Sequence, residues 1–195
     1  LPELKIALEQ HQRDTNPQLR QLGVVFHTNV SSCGTSTAES LPCMFSHLGR
    51  SRYTPESTRS YQNLLDVMLR VGVSVYWRDN NAGCKGICDR VPFDRPDAQP
   101  HPALCHDGEW FDELLLHGLP EYLAQQQDDV LIVLHQLGSH GPGYYKRVPA
   151  AFKRFQPECA QEDVKECSRE AIVNAYDNTI LYTDHVLAEA IRLLR

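Results

Sequence analysis

Residues 129–134 read Asp-Val-Leu-Ile-Val-Leu, and this unbroken apolar run constrains the fold more than any other feature of the chain. Such a run, bounded by polar residues, suits a strand in a sheet covered on both faces. Val73–Trp77 is a second run of that kind, β-branched and aromatic. Helical patterns lie around them. Leu64, Leu65, Met68 and Val71 recur at helical spacing behind Ser57 or Thr58 as cap, and Gly72 stops them. Phe111–Leu116 and Tyr122–Gln127 read as helical pieces, and residues 168–195 as a long helix capped by Ser168 with Glu170 near its start. Shorter candidates are a helix over residues 3–12, a strand at Val24–Phe26, and a helix over residues 38–48 interrupted near Pro42; residues 79–99 read as loop. Strands alternating with helices predict an α/β fold with a mostly parallel sheet. In such folds ligands bind where loops leave the carboxyl ends of the strands.

Composition narrows the function classes. The 195 residues fit one domain, and a net charge of −6 without a basic run argues against nucleic acid as a partner. No apolar stretch approaches the roughly 20 residues needed to cross a bilayer, and no signal peptide opens the sequence. The 7 cysteines fall as Cys33 and Cys43, Cys84 and Cys88, Cys159 and Cys167, with Cys105 left over. Thiolate zinc sites use Cys-x2-Cys pairs, of which there are none. Close pairs in loops read instead as local disulfides, which persist in an oxidising compartment.

Three loops carry polar residues with little structural reason to be there. In "CGTSTAES", Thr35, Ser36 and Thr37 precede a helix. A hydroxyl there sits among unpaired backbone N–H groups at the positive end of the helix dipole, a setting for a nucleophile or a bound phosphate. The same hydroxyls could simply cap the helix. In "WRDNNAGCKGICDR", Asn81 can donate amide hydrogens to an anion and Lys85 offers a point charge, or the segment is a solvated turn pinned by a disulfide. In "HQLGSHGPGYYKR", His140 could bind metal or phosphate or move a proton, or be merely exposed. His135, at the strand end, reads as structural.

The segments "NVSSCGTSTAESLPCMFS", "WRDNNAGCKGICDRVP", "LIVLHQLGSHGPGYYKR", "CSREAIVNAYDNTILYTD" and, more weakly, "RDTNPQL" resemble lipid A phosphoethanolamine transferases, a family that includes the mobile polymyxin-resistance enzymes. The likeness runs in order from about Arg13 to Arg195 and leaves residues 1–12 unmatched. It implies the central part of a periplasmic, zinc-dependent catalytic domain with an alkaline phosphatase/sulfatase-like sheet and flanking helices, incomplete in this chain. In the family that domain hangs from N-terminal membrane helices, at the periplasmic face of the inner membrane. Thr37 matches the family's nucleophile, which also contacts the zinc. Thr35, Asn81, Lys85 and His140 match residues of the substrate region. The implied reaction moves phosphoethanolamine from phosphatidylethanolamine to lipid A through a phosphothreonine, and confers polymyxin resistance.

The chain departs from the family pattern in two ways. The zinc glutamate of G-E-[ST]-x-R, the aspartate and histidine of S-D-H-G-E and a later histidine are all missing from these 195 residues. The stretch alone is therefore expected to be inactive, as a piece of a longer enzyme or as a degenerate relative. The family also pairs a cysteine like Cys105 with one five residues on, where this chain has Trp110. Two other readings stay open: a sulfatase-like or phosphodiesterase hydrolase, and a non-catalytic interaction domain pinned by disulfides.

Overall fold

The computed structural model describes residues 13–27, 29–56, 61–96 and 101–195. In chain order the elements are α1 (Pro17–Gln21), α2 (Thr37–Met44), α3 (Leu64–Arg70), β1 (Ser74–Asp79), β2 (Phe93–Asp94), β3 (Cys105–His106), β4 (Glu109–Trp110), α4 (Leu119–Ala124), β5 (Val130–His135) and α5 (Arg169–Leu193), with short 3-10 turns between them. They fall into two compact units. The sheet unit comprises residues 26–96 and 117–136; the helix unit comprises the N-terminal segment to Val25 with residues 97–116 and 137–195.

The sheet unit is built on β1. It lies between β2 and β5 and is parallel to both, with Ser74 opposite Val130 and Asp79 opposite His135. Side chains alternate along a strand, so Val75, Trp77 and Asp79 share one face with Leu131, Val133 and His135. That face meets Leu65, Ile87, Val91, Cys84 and Cys88, with Leu41 of α2 and the following Phe45 packed alongside. The expected strand covered on both faces is therefore β1 rather than β5. All six β5 residues are only half-buried, whereas Val75, Trp77, Arg78 and Asp79 of β1 are buried. Between its two neighbours, β1 takes the centre of the packing.

Other expectations are corrected in detail. Val24–Phe26 forms no strand: the segment is irregular and Val25 is 77% exposed. Helix α2 stops at Met44 instead of running to residue 48, because Phe45 turns inward to meet the Trp77 ring at 5.8 Å. Helix α3 is capped not by Ser57 or Thr58, which lie outside the described residues, but by Asn63. The Asn63 Oδ1 accepts the Leu65 and Asp66 N–H groups, and Asp66 Oδ2 accepts the Asn63 N–H in return. This reciprocal box satisfies donors that a helix start otherwise leaves unpaired. The loop over residues 79–99 contains β2. Asp112–Leu116 is a 3-10 turn, and α4 begins at Leu119. The expected helix over residues 3–12 lies outside the described residues.

In the helix unit, α5 matches its expected span, with Ser168 Oγ accepting the Ala171 N–H. Its buried side includes a polar stripe. Asp184 accepts the Gln18 and Leu19 N–H groups at 2.9 and 3.0 Å, and so holds the start of α1. Arg13 reaches Asn174 and Asp177 at 2.5 and 3.1 Å, and Asn178 bonds both the N–H and the C=O of Phe155. Irregular backbone beside a helix needs such partners, since buried peptide groups left unpaired are costly. Disulfides join Cys33 to Cys43, Cys84 to Cys88 and Cys159 to Cys167, as expected, and Cys105 is free. Cys105 stands opposite Trp110 across the β3–β4 hairpin.

Arg90 grips the buried Asp66 through two nitrogens, and that hydrogen bonding holds the carboxyl below its ordinary value. A depressed carboxyl stabilises the fold above the unfolded value of about 3.9, and the contribution disappears as the pH falls through the folded value. Urea midpoints measured from pH 6 down to pH 2 should fall for the wild type, and fall less for Asp66→Asn. Identical pH profiles would assign this acid sensitivity to other groups.

Candidate active site

Helix α2 begins the site. Ser36 is its cap and accepts the Glu39 N–H at 3.3 Å, so of the three hydroxyls only Ser36 does the capping. Thr37 is the first helical residue and half-buried; Thr35 is exposed. Neither the Thr37 nor the Ala38 N–H makes a hydrogen bond among the described residues. They are two of the four donors that any helix start leaves over, at the positive end of its dipole. Gly34, Thr35, Ser36, Thr37, Ser40 and Leu41 line a hollow of about 250 Å³ here. Gly34 admits the turn: a Cβ there would stand 2.4 Å from Glu39 Oε2 and 2.9 Å from Glu39 Cβ. The hollow can therefore offer the Thr37 hydroxyl and N–H to a phosphate group, and the Ala38 N–H lies next in the same helix start.

The loop leaving β1 carries the other two candidates of the sheet unit. Asn81 is half-buried: its amide donates to the Gln136 carbonyl at 2.9 Å and its Oδ1 accepts the Ala82 N–H at 2.7 Å. One amide hydrogen remains for a ligand. Lys85 is exposed and donates to the Ala82 carbonyl at 2.6 Å, leaving two ammonium hydrogens. Its φ of +53° is the left-handed region that non-glycine residues seldom adopt. Lys85 and Gly86 line a cavity of about 560 Å³ together with Ala38, Pro42, Asn63 and Arg90. The Thr37 helix and the Lys85 loop thus face a common space.

His140 belongs to the helix unit and is exposed. Its backbone is held by Leu137 O and by Arg147, and the segment before it by Asp112, which accepts the Leu137 and Gly138 N–H groups at 2.8 Å each. Thr179 of α5 donates to the neighbouring Ser139 hydroxyl at 2.7 Å.

Two residues at strand ends were missed or dismissed from sequence. Asp79, placed in the loop, is the last residue of β1 and its side chain is wholly buried. His135, read as structural, pairs with it through Nδ1 at 2.5 Å. The signal available was positional: an acid and a histidine at the carboxyl ends of two parallel strands, where such sheets place their ligands.

The described residues do not assemble a metal centre. No three His, Cys, Asp or Glu among the described residues are grouped to hold an ion, and 6 of the 7 cysteines are in disulfides. A neutral threonine hydroxyl is not a zinc site by itself, since such sites take three or four protein donors.

The sulfatase family model matches residues 3–195, and the chain belongs to the sulfatase family. Within it the relatives are phosphoethanolamine transferases. Phosphoethanolamine transferase EptA of Escherichia coli K12 is 46% identical over 189 residues, which is 97% of this chain and 35% of that protein. Phosphatidylethanolamine transferase Mcr-1 of Escherichia coli is 40% identical over 198 residues, covering 97% of this chain and 37% of its own length. The integral membrane protein lipooligosaccharide phosphoethanolamine transferase A of Neisseria meningitidis superposes with a TM-score of 0.89 at 42% identity, over 95% of this chain and 35% of that one. The chain spans about a third of the length of these relatives. No helix among its described residues is long and apolar enough to cross a membrane.

Two measurements follow from the site as built. Ser36→Ala should cost about 1 kcal/mol of stability, the usual loss of a helix cap, in urea unfolding of the purified chain. Zinc titrated calorimetrically into the 195-residue chain, thiols blocked, should give no stoichiometric site of sub-micromolar affinity. Such a site would mean that groups described here as structural hold metal.

Proposed function

We propose that this chain is the central part of the catalytic domain of a phosphoethanolamine transferase, with Thr37 as its nucleophile. The observation that carries the reading is Thr37 itself, placed at a helix start whose first two N–H groups have no partner among the described residues. The names of the relatives support the transferred group, a phosphatidylethanolamine donor and a lipooligosaccharide-type acceptor.

In the proposed first half-reaction, Thr37 Oγ1 bonds to the phosphodiester phosphorus of phosphatidylethanolamine. The bond to the diacylglycerol oxygen breaks, and that oxygen leaves as an alcohol carrying a proton. The Thr37 and Ala38 N–H groups would donate to a phosphate oxygen whose charge grows as the bond forms, where fixed donors act most strongly. Lys85 and the remaining Asn81 hydrogen would hold the other oxygens, with Thr35 lining the substrate region beside them; His140, in the helix unit, matches a substrate-region residue of the family by resemblance. In the second half-reaction a lipid A phosphate oxygen attacks the phosphothreonine and Thr37 recovers its proton, a ping-pong cycle. If zinc is bound in the intact enzyme, Thr37 is the residue of this stretch that would contact it, and the ion would lower the hydroxyl's pKa and screen the developing charge.

The same reading places the domain at the periplasmic face of the inner membrane, tethered to the bilayer that holds its donor, and gives polymyxin resistance as the consequence of the modified lipid A. Three local disulfides support an oxidising compartment, and the Neisseria relative is an integral membrane protein.

In the intact enzyme, Thr37→Ala should abolish transfer while leaving the melting temperature within a few degrees. Thr37→Ser should keep part of the activity, because a hydroxyl remains in place. Near wild-type transfer by Thr37→Ala moves the nucleophile elsewhere. Release of free phosphoethanolamine with no lipid A modified would identify a hydrolase of the same family.

A further inference from the structure

The groups assigned to the substrate on the loop after β1 have little secondary structure of their own, yet they hang from one buried carboxylate. Asp79 is the last residue of β1, with a wholly buried side chain. Its Oδ1 meets His135 Nδ1 at 2.5 Å. Its Oδ2 accepts the Gly83 N–H at 3.0 Å and lies 3.4 Å from the Arg95 guanidinium. His135 is fixed in turn: it is the register partner of Asp79 in β5, and its ring stands edge-on to Trp77 at 5.4 Å.

Around this pair the loop is tied at both ends. The Asn80 N–H donates to the His135 carbonyl at 2.9 Å, and the Asn81 amide to the Gln136 carbonyl at 2.9 Å. Arg95 reaches from Asp79 to the Asn81 carbonyl at 3.4 Å. Gly83, with φ +82°, turns the chain so that Cys84 enters the core and Lys85 is presented outward.

We infer that Asp79 and His135 are positioning residues for phosphate recognition: together they clamp the turn over residues 80–83 and so fix where Asn81 and Lys85 stand. The inference rests on the transferase reading for its role in turnover, but not for the clamp itself. A carboxylate buried this completely is tolerated because it is paired and hydrogen-bonded on both oxygens. Burial with those partners makes it rigid, and rigidity is what a binding loop lacking its own ladder requires. A displacement near 1 Å of a positioned group can cost about a hundredfold in rate, so a clamp of this kind affects turnover without touching substrate.

The test uses the intact membrane enzyme. Asp79→Ala should lower kcat/KM for transfer by about ten- to a hundredfold. Asp79→Asn should recover most of it, since its carbonyl still accepts the Gly83 N–H. In an Asn81→Ala/Lys85→Ala background, adding Asp79→Ala should cause little further loss, because the clamp acts only through those side chains. Amide hydrogen exchange over residues 80–88 should quicken in Asp79→Ala and His135→Ala and stay at the wild-type rate in Thr37→Ala. Circular dichroism on every variant separates these effects from misfolding, and Asp79→Asn supplies the comparison if Asp79→Ala does not fold. Losses that add in full to those of Asn81 and Lys85 overturn the positioning role. Unchanged exchange at Gly83 in a folded Asp79→Ala overturns the clamp. A wild-type enzyme that transfers nothing, with exchange still responding to Asp79, overturns the transferase reading and leaves the clamp standing.

Discussion

Trp77 is the contact on which the sheet unit depends. It is fully buried in the central strand, with Phe45 just past α2 at 5.8 Å on one side and His135 of β5 at 5.4 Å on another. Its indole N–H has no partner among the described residues, so the ring is retained there for bulk and not for its polar atom. A large aromatic contributes well over a hundred Å² of buried surface, enough to fix several elements against one point. Two elements that carry candidate groups pack against the core it centres: α2 through Leu41 and the Phe45 that follows it, and the Lys85 loop through Ile87 and the Cys84–Cys88 bridge. The distance from Thr37 to Lys85 is therefore set by hydrophobic packing behind them. The polar groups in front merely inherit it.

The two faces of the sheet divide the labour. The face with Val75 and Trp77 builds the core and ends at the Asp79–His135 pair, where the polar loops begin. On the other face Tyr76 stacks on Tyr122 of α4 at 4.5 Å, and Arg78 bonds Asp94 at 3.2 Å and the His117 carbonyl. Burial, with Asp94 beside it, pushes the Tyr76 hydroxyl up to about 12, so it stays a neutral donor at any physiological pH. That face closes the sheet with satisfied polar groups, while the first face ends at the polar loops that carry the candidate residues.

Much of this was legible in the sequence where the signal is hydrophobic periodicity. The strands over residues 73–77 and 129–134, the Ser168-capped helix and the three cystine pairs appear nearly as read. What was not legible depends on contacts distant in the chain. Periodicity could not rank β1 above β5, because burial depends on which strand receives neighbours on both sides. The cap of α3 was sought among serines and threonines, although Asn63 with Asp66 three residues on is an equally good box. β2 contributes two residues and has no pattern of its own; it exists because Trp77 and Arg78 offer a free edge to Phe93 and Asp94. Asp79 looked like loop because acids are poor strand formers. Its place in the strand is secured by His135, 56 residues away.

The disulfides show how such a site can be firm without regular structure. Cys33–Cys43 closes the segment holding Thr35 and Thr37, with its second cysteine inside α2, and Cys84–Cys88 encloses Lys85. Short bridges of this kind contribute roughly 2–3 kcal/mol each through the entropy they remove from the unfolded chain. Their local effect is larger than that figure suggests, because each acts on a segment with few buried side chains of its own. Cys43, Cys84 and Cys88 are themselves buried, so each bridge ties an exposed candidate residue to the core rather than to another loop. Asp79 does the same by hydrogen bonding for the turn over residues 80–83. Covalent and polar anchors thus alternate along the Lys85 loop: strand, carboxylate, disulfide and core. Each groups the exposed side chains within a few residues of a fixed point, which is the condition for several weak donors to act on one phosphate at once.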